Sequence, residues 1–192
     1  AEHAMNKKVA KKKLKVDVDK VLISEEAIRS GEHGFEVALK MIESGAGVLV
    51  IDSIAALRPE ESMTGERDRI GAHALLMSKQ MPRLAEAAAK GKTTVFTVNQ
   101  TRKNIGQLFG DNTTTTGGNS PGFYASIRVR VSKIKVVKGP NGEELGYIVK
   151  YRPTKNRAGY KRGEFSVVMG RGFIPNLTDT AVLWAKNFPD LG

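Results

Sequence analysis

Apolar residues in this chain fall into two kinds of block. In the first half, solid aliphatic runs alternate with segments of helical spacing. Val48 to Ile51, preceded by Gly47, has no polar alternation, the pattern of a central parallel strand covered on both faces. A second run, TTVFTVNQ over residues 93–100, ends in Asn99 and Gln100. Ahead of the first run, Phe35, Leu39 and Ile42 share one helical face, with Ser30 placed to cap the helix and Ser44-Gly45 to close it after Glu43. Between the runs, a helix from about Ile70 to Ala89 carries Leu75, Leu76 and Leu84, and Pro82 is expected to kink or split it. Val18–Ser24 has the pattern of a short strand. This alternation predicts a parallel sheet with right-handed crossovers.

The second half follows another rhythm. Between Ala125 and Val137, Ile127, Val129, Val131 and Ile134 alternate with Arg128, Arg130, Lys133 and Lys135. Asn141-Gly142 marks a hairpin turn. Residues 147–151 (YIVKY) and 164–170 (EFSVVMG) follow as strands, joined through RPTKNRAGYKRG. The predicted class is α/β: a mostly parallel central sheet flanked by helices, with antiparallel strands added at one edge. A chain of 192 residues, 40% of them apolar, has enough material for one domain with a real core.

Charge narrows the partners. The formal net charge of +11 favours a polyanion, nucleic acid above all. The lysines at 7, 8, 11, 12, 13 and 15 are expected on a solvated helix face. Cysteine is absent, which excludes a disulfide scaffold and thiolate metal sites and fits a reducing compartment. No apolar run reaches membrane-spanning length and no secretory signal pattern occurs, so no membrane partner is expected. His3, His33 and His73 have no ligand spacing, and none is expected to bind metal or act as a base.

Asp52 follows the first aliphatic run, at the carboxyl end where open α/β sheets bind ligands. A magnesium–nucleotide is the obvious candidate, yet it needs a phosphate loop of the form G-x-x-x-x-G-K-[ST]. Gly91-Lys92-Thr93 fails that test. Glu86 stands where the first glycine belongs, and the tripeptide leads from helix to strand, the reverse of the required order. Gly91 is expected instead as a helix C-cap. Residues 101–122, TRKNIGQLFGDNTTTTGGNSPG, are long for a connection inside a compact domain. Arg102 and Lys103 supply charge, threonine hydroxyls and glycine amides suit phosphates, and Ile105, Leu108 and Phe109 suit bases.

VLVIDSIAALRPE, TVNQTRKNIG, TTTTGGNSPGFYAS and the leading AEHA resemble the RecA-type recombinases of bacteria and phages, in colinear order over nearly the whole chain. The resemblance implies a RecA-like ATPase core over residues 1–192, beginning just after the family's phosphate loop and stopping short of its C-terminal lobe. It implies ATP and Mg2+ as cofactors, a cytoplasmic protein, and DNA, single- and double-stranded, as partner of a homo-oligomeric helical filament. Glu2 matches the carboxylate that activates water, and Gln100 the glutamine that senses the γ-phosphate. Asp52, with Ser53 beside it, matches the magnesium-holding strand end. Lys155 and Arg157 match a basic pair that reaches the neighbouring subunit's ATP; arginine stands at 157 where lysine is familiar. Met63 to Arg69, with Arg67 and Arg69, matches the first DNA loop and is slightly shorter than usual. Thr101 to Asn119 matches the second, with Arg102, Lys103, Asn104, Ile105, Phe109, Thr115, Thr116, Gly117, Gly118 and Asn119 as DNA contacts. The implied activity of the intact protein is ATP-dependent pairing and strand exchange, the isolated segment being inactive. The alternatives are a non-catalytic RecA-like DNA-binding or filament paralogue and a hexameric helicase of related core; TTTTGGN beside NQTRKNIG fits recombinases better.

Overall fold

The computed structural model describes residues 17–22, 24, 27–62, 71–103, 113–157, 159, 163–170, 175–176, 178 and 180–181. These fall into two compact units, the first holding the described residues of Asp19–Tyr124 and the second those from Ala125 onward together with Asp17 and Val18.

In the first unit, helix α1 (Gly31–Glu43) starts where Ser30 caps it, its hydroxyl accepting from the His33 amide at 3.2 Å. It ends on Ser44 and on Gly45, whose φ of +89° suits glycine. Strand β1 (Val48–Ile51) follows, then helix α2 (Ala72–Gly91) and strand β2 (Thr94–Thr97). The two strands pair in parallel, Val48 opposite Thr94 and Ile51 opposite Thr97. Phe35, Ala38 and Ile42 of α1 close with Leu76, Met77, Met81 and Leu84 of α2 around Leu49, Ile54 and Leu57. Phe35 lies at the centre of this core, 1% exposed. Phe35→Ala should therefore lower the unfolding free energy by about 3–5 kcal/mol, read from urea titration of the circular dichroism.

Several expectations change here. Pro82 does not split α2, which runs unbroken across it. The lost backbone hydrogen bond costs about 3 kcal/mol, but Met77 and Met81 before the proline and Leu84 after it are all buried, so packing holds both halves in line. At the end of α2 it is Lys92, with φ +52°, that takes the left-handed C-cap conformation. Gly91 is small for a different reason, since a Cβ there would come within 2.6 Å of Ile42 Cγ2. Where a strand was expected over Val18–Ser24, Val18–Lys20 is one turn of 3-10 helix, and no strand forms among the described residues there. Of the run read as covered on both faces, only Leu49 is buried. Val48, Val50 and Phe96, at 62%, 61% and 57% exposure, share the face turned away from α1 and α2.

Both described ends of the stretch after Gln100 are strands. Strand β3 (Thr101–Lys103) and strand β4 (Thr113–Thr115) form an antiparallel stem, with Thr101 opposite Thr115 and Lys103 opposite Thr113. A short helix, α3 (Ser120–Tyr124), follows.

The second unit is an antiparallel sheet of β5 (Ile127–Lys138), β6 (Glu144–Asn156) and β7 (Phe165–Gly170), in that order. Its hairpin turns as predicted. Gly142 has φ +80°, and the Gly139 amide donates to Glu143 O at 2.8 Å. The linker expected from Arg152 onward is instead strand, because β6 continues through RPTKN to pair Asn156 with Ile127. Val149 and Val168 are buried, and Tyr151 stacks on Phe165 with ring centroids 5.1 Å apart. Val168 of β7 also meets the chain that follows, its carbonyl accepting from the Asn176 amide at 2.7 Å and its amide donating to Thr180 Oγ1 at 2.9 Å. No helix among the described residues is long and apolar enough to cross a membrane.

Candidate functional site

Parallel pairing of β1 and β2 brings their carboxyl ends side by side. Val98 N donates to Ile51 O and Ile54 N donates back to Val98 O, both at 3.0 Å. Between those two bonds the first chain carries Asp52, exposed, and Ser53, half-buried; the peptide bond joining them is cis. Ile54 is fully buried and anchors the turn that follows. On the neighbouring tip stand Asn99 and the exposed Gln100. An acid and an amide thus cap adjoining strands at the end of the sheet where α/β ligands sit. Glu2 lies outside the described residues.

Asn99 ties this end to the long segment. Its Oδ1 accepts from the Gln100 amide at 2.8 Å, and its Nδ2 donates to Thr116 O at 2.9 Å. The Thr116 amide in turn donates to Gln100 O at 3.4 Å. Gln100 therefore sits at the foot of the β3–β4 stem, held to both of its legs. Arg102 and Lys103 lie on the outgoing strand and Thr115 on the returning one. Asn104, Ile105 and Phe109, and likewise Arg67 and Arg69, lie outside the described residues.

The returning leg reverses through Gly117 and Gly118, at φ +92° and +69°. Gly117 is buried against α2, where a Cβ would stand 2.7 Å from Met77 Cγ and 3.3 Å from the His73 ring. Ser120 Oγ then donates to Met77 O at 3.2 Å. Thr116 and Gly117, expected as DNA contacts, thus face α2 and the strand tip at least in part, while Gly118 and Asn119 are exposed. Sequence reasoning missed two residues. Asn99 was seen only as a strand end, and its bridging role is invisible without the partner at 116. His73, dismissed for lack of ligand spacing, donates from Nε2 to Ile54 O at 3.1 Å. A histidine in the first turn of a helix, beside the apolar Ala72, Leu76 and Met77, was the available signal.

The second unit carries Lys155 and Arg157. Lys155 lies opposite Arg128 on β5, and the Arg157 amide donates to Ser126 O at 3.0 Å. The Lys155 ammonium is held below the usual lysine range, first by desolvation and then by the like charges of Arg157 and Arg128. A phosphate brought to this cluster would relieve that crowding.

The RecA N-terminal domain family matches residues 1–174. The chain belongs to that family. It is similar to Protein RecA of Porphyromonas gingivalis, 40% identical over 178 residues that make up 90% of this chain and 51% of that one. Protein RecA of Aquifex pyrophilus is 40% identical over 188 residues, 94% of this chain and 53% of its own. That of Bacteroides thetaiotaomicron is 39% identical over 178 residues. The chain spans about half the length of the curated relatives it matches. Its α/β architecture is that of a RecA-like core. Within this RecA-family core, Gly91-Lys92-Thr93 runs from α2 into β2, which rules it out as a phosphate loop. Among the described residues no three acids or histidines gather as a metal cluster. Exposed Asp52 with Ser53 beside it offers hard oxygen donors that fit a magnesium ion completing its shell with water and phosphate oxygens.

Proposed function

We propose that the intact protein is an ATP-dependent DNA recombinase that forms filaments on single strands and promotes homologous pairing and strand exchange. The observation that carries this reading is the continuity of one short path: Asp52 and Gln100 cap adjoining strands, and Gln100 opens directly into the stem that bears Arg102 and Lys103. In this reading Asp52 and Ser53 hold magnesium, which neutralises charge on the phosphates during hydrolysis. Glu2 takes a proton from the attacking water. Gln100 senses the γ-phosphate and transmits its presence to the stem through Asn99 and Thr116. Lys155 and Arg157 reach the phosphates of a neighbouring subunit, so nucleotide sits between subunits and favours the filament. Residues 63–69 and 101–119 grip mainly phosphate, and base pairing reads homology. Turnover weakens the grip and releases the strand.

The family match at about 40% identity with three Protein RecA relatives supports the enzyme over a non-catalytic paralogue. The test is ATP turnover by the intact protein with and without single-stranded DNA, beside an assay of homologous pairing. The expected result is turnover stimulated by DNA, together with pairing that requires ATP. DNA binding with no turnover under either condition would overturn the reading.

A further inference from the structure

His73 stands at the crossing of two paths, the strand tip that carries Asp52 and the returning leg of the stem. Its Nε2 lies 3.1 Å from Ile54 O, two residues past Asp52. A carbonyl only accepts, so Nε2 carries a proton, and in the Nε2–H tautomer Nδ1 is an acceptor. That Nδ1 is buried and has no hydrogen-bond partner among the described residues. The same holds for the hydroxyl of Thr116, which is a donor. The two orphans flank one glycine: Thr116 precedes Gly117, and an ideal Cβ on Gly117 would lie 3.4 Å from His73 Nδ1. Buried polar atoms in native proteins nearly always find partners, and leaving a matched donor and acceptor both unpaired is costly. The pair is complementary in chemistry and sits where the foot of the stem packs on α2. Neighbouring Ala72, Leu76 and Met77 are buried and apolar, so an imidazole here is not explained by packing alone.

We propose that His73 is a positioning residue that couples the nucleotide-bearing strand tip to the DNA-binding segment. Ile54 O fixes the ring through Nε2, and Nδ1 accepts from Thr116 Oγ1 when the stem is drawn down onto nucleic acid. This path runs parallel to the one through Asn99 and Gln100, and it enters the stem at the residue that Asn99 also holds. Ordering one strand tip would then be felt at Thr116 from both sides. The inference rests on the function proposed above.

The test uses the full-length protein and single-strand affinity measured by fluorescence anisotropy, with and without a non-hydrolysed ATP analogue and magnesium. The readout is the ratio of the two affinities. His73→Gln keeps a donor near the position of Nε2 but offers no acceptor where Nδ1 stood; Thr116→Val removes the hydroxyl at nearly constant shape. Each should lower the ratio about ten-fold, and the double variant should lower it no further, since both remove one bond. Thr116→Ser should restore the wild-type ratio, and His73→Gln should bind the analogue as tightly as wild type. Wild-type ratios in His73→Gln would overturn the coupling, as would strictly additive losses or a Thr116→Val loss equal in both conditions. A wild-type protein whose DNA affinity ignores nucleotide would refute the proposed function itself, and with it the coupling.

Discussion

Replacing Asp52 by asparagine in the intact protein should lower DNA-stimulated ATP turnover by about a hundred- to a thousand-fold. The substitution keeps shape and removes one negative charge at the tip of β1. Asp52 is exposed and lies outside the core built on Phe35, Ile54 and Met77, so the thermal midpoint should barely move, as for other surface substitutions. The combination separates a role in chemistry from a role in folding. Loss of turnover at unchanged stability places the charge at the reacting phosphates. Turnover within a few-fold of wild type would mean that the carboxylate merely terminates a strand. Steady-state kinetics over a range of magnesium concentrations, beside a melting curve, reads both.

The paired replacement Arg102→Ala with Lys103→Ala is expected to have the next largest effect. Both residues lie on β3 immediately ahead of residues 104–112, on the path that leaves the Gln100 foot. If each neutralises one phosphate, removing both flattens the slope of log affinity against log salt by about 1.4 on single strands. At low salt the affinity should fall about ten- to a hundred-fold, evenly across sequences, because phosphate contacts carry no base information. Anisotropy titrations at several salt concentrations measure both quantities. Unchanged affinity and slope would remove the second loop from the DNA interface.

Local chemistry was legible in the sequence wherever a few adjacent residues decide the outcome. Ser30 announced the start of α1, the solid run at Val48–Ile51 announced a strand, and Asn141-Gly142 announced the turn between β5 and β6. Failures cluster where the deciding partner is distant. Val18–Ser24 has strand-forming residues but no neighbour to pair with among the described residues. RPTKN contains a proline and basic residues that suggested a linker, yet β5 supplies a matching edge on both sides of a bulge at Thr154. The stem of β3 and β4 depends on pairing across nine intervening residues, which composition does not reveal. Pro82 broke a local rule that core packing on both sides overrides. For the candidate site, Asp52 and Gln100 were picked out as candidates from their place at strand ends and from family motifs, and the structure sets them on adjoining strand tips. The bond that ties this end to Thr116 was not, because it arises from Asn99 meeting a residue 17 positions away along the chain.

The central claim is that nucleotide at the two strand tips stiffens the adjoining stem on DNA. Amide hydrogen exchange across Thr101–Lys103 and Thr113–Thr116, in the intact protein bound to single-stranded DNA, tests it directly. Adding magnesium and a non-hydrolysed ATP analogue should slow exchange in those two segments in wild type and leave it unchanged in Asp52→Asn. Exchange there that ignores nucleotide in the wild-type protein, or slows equally in the variant, would contradict the account.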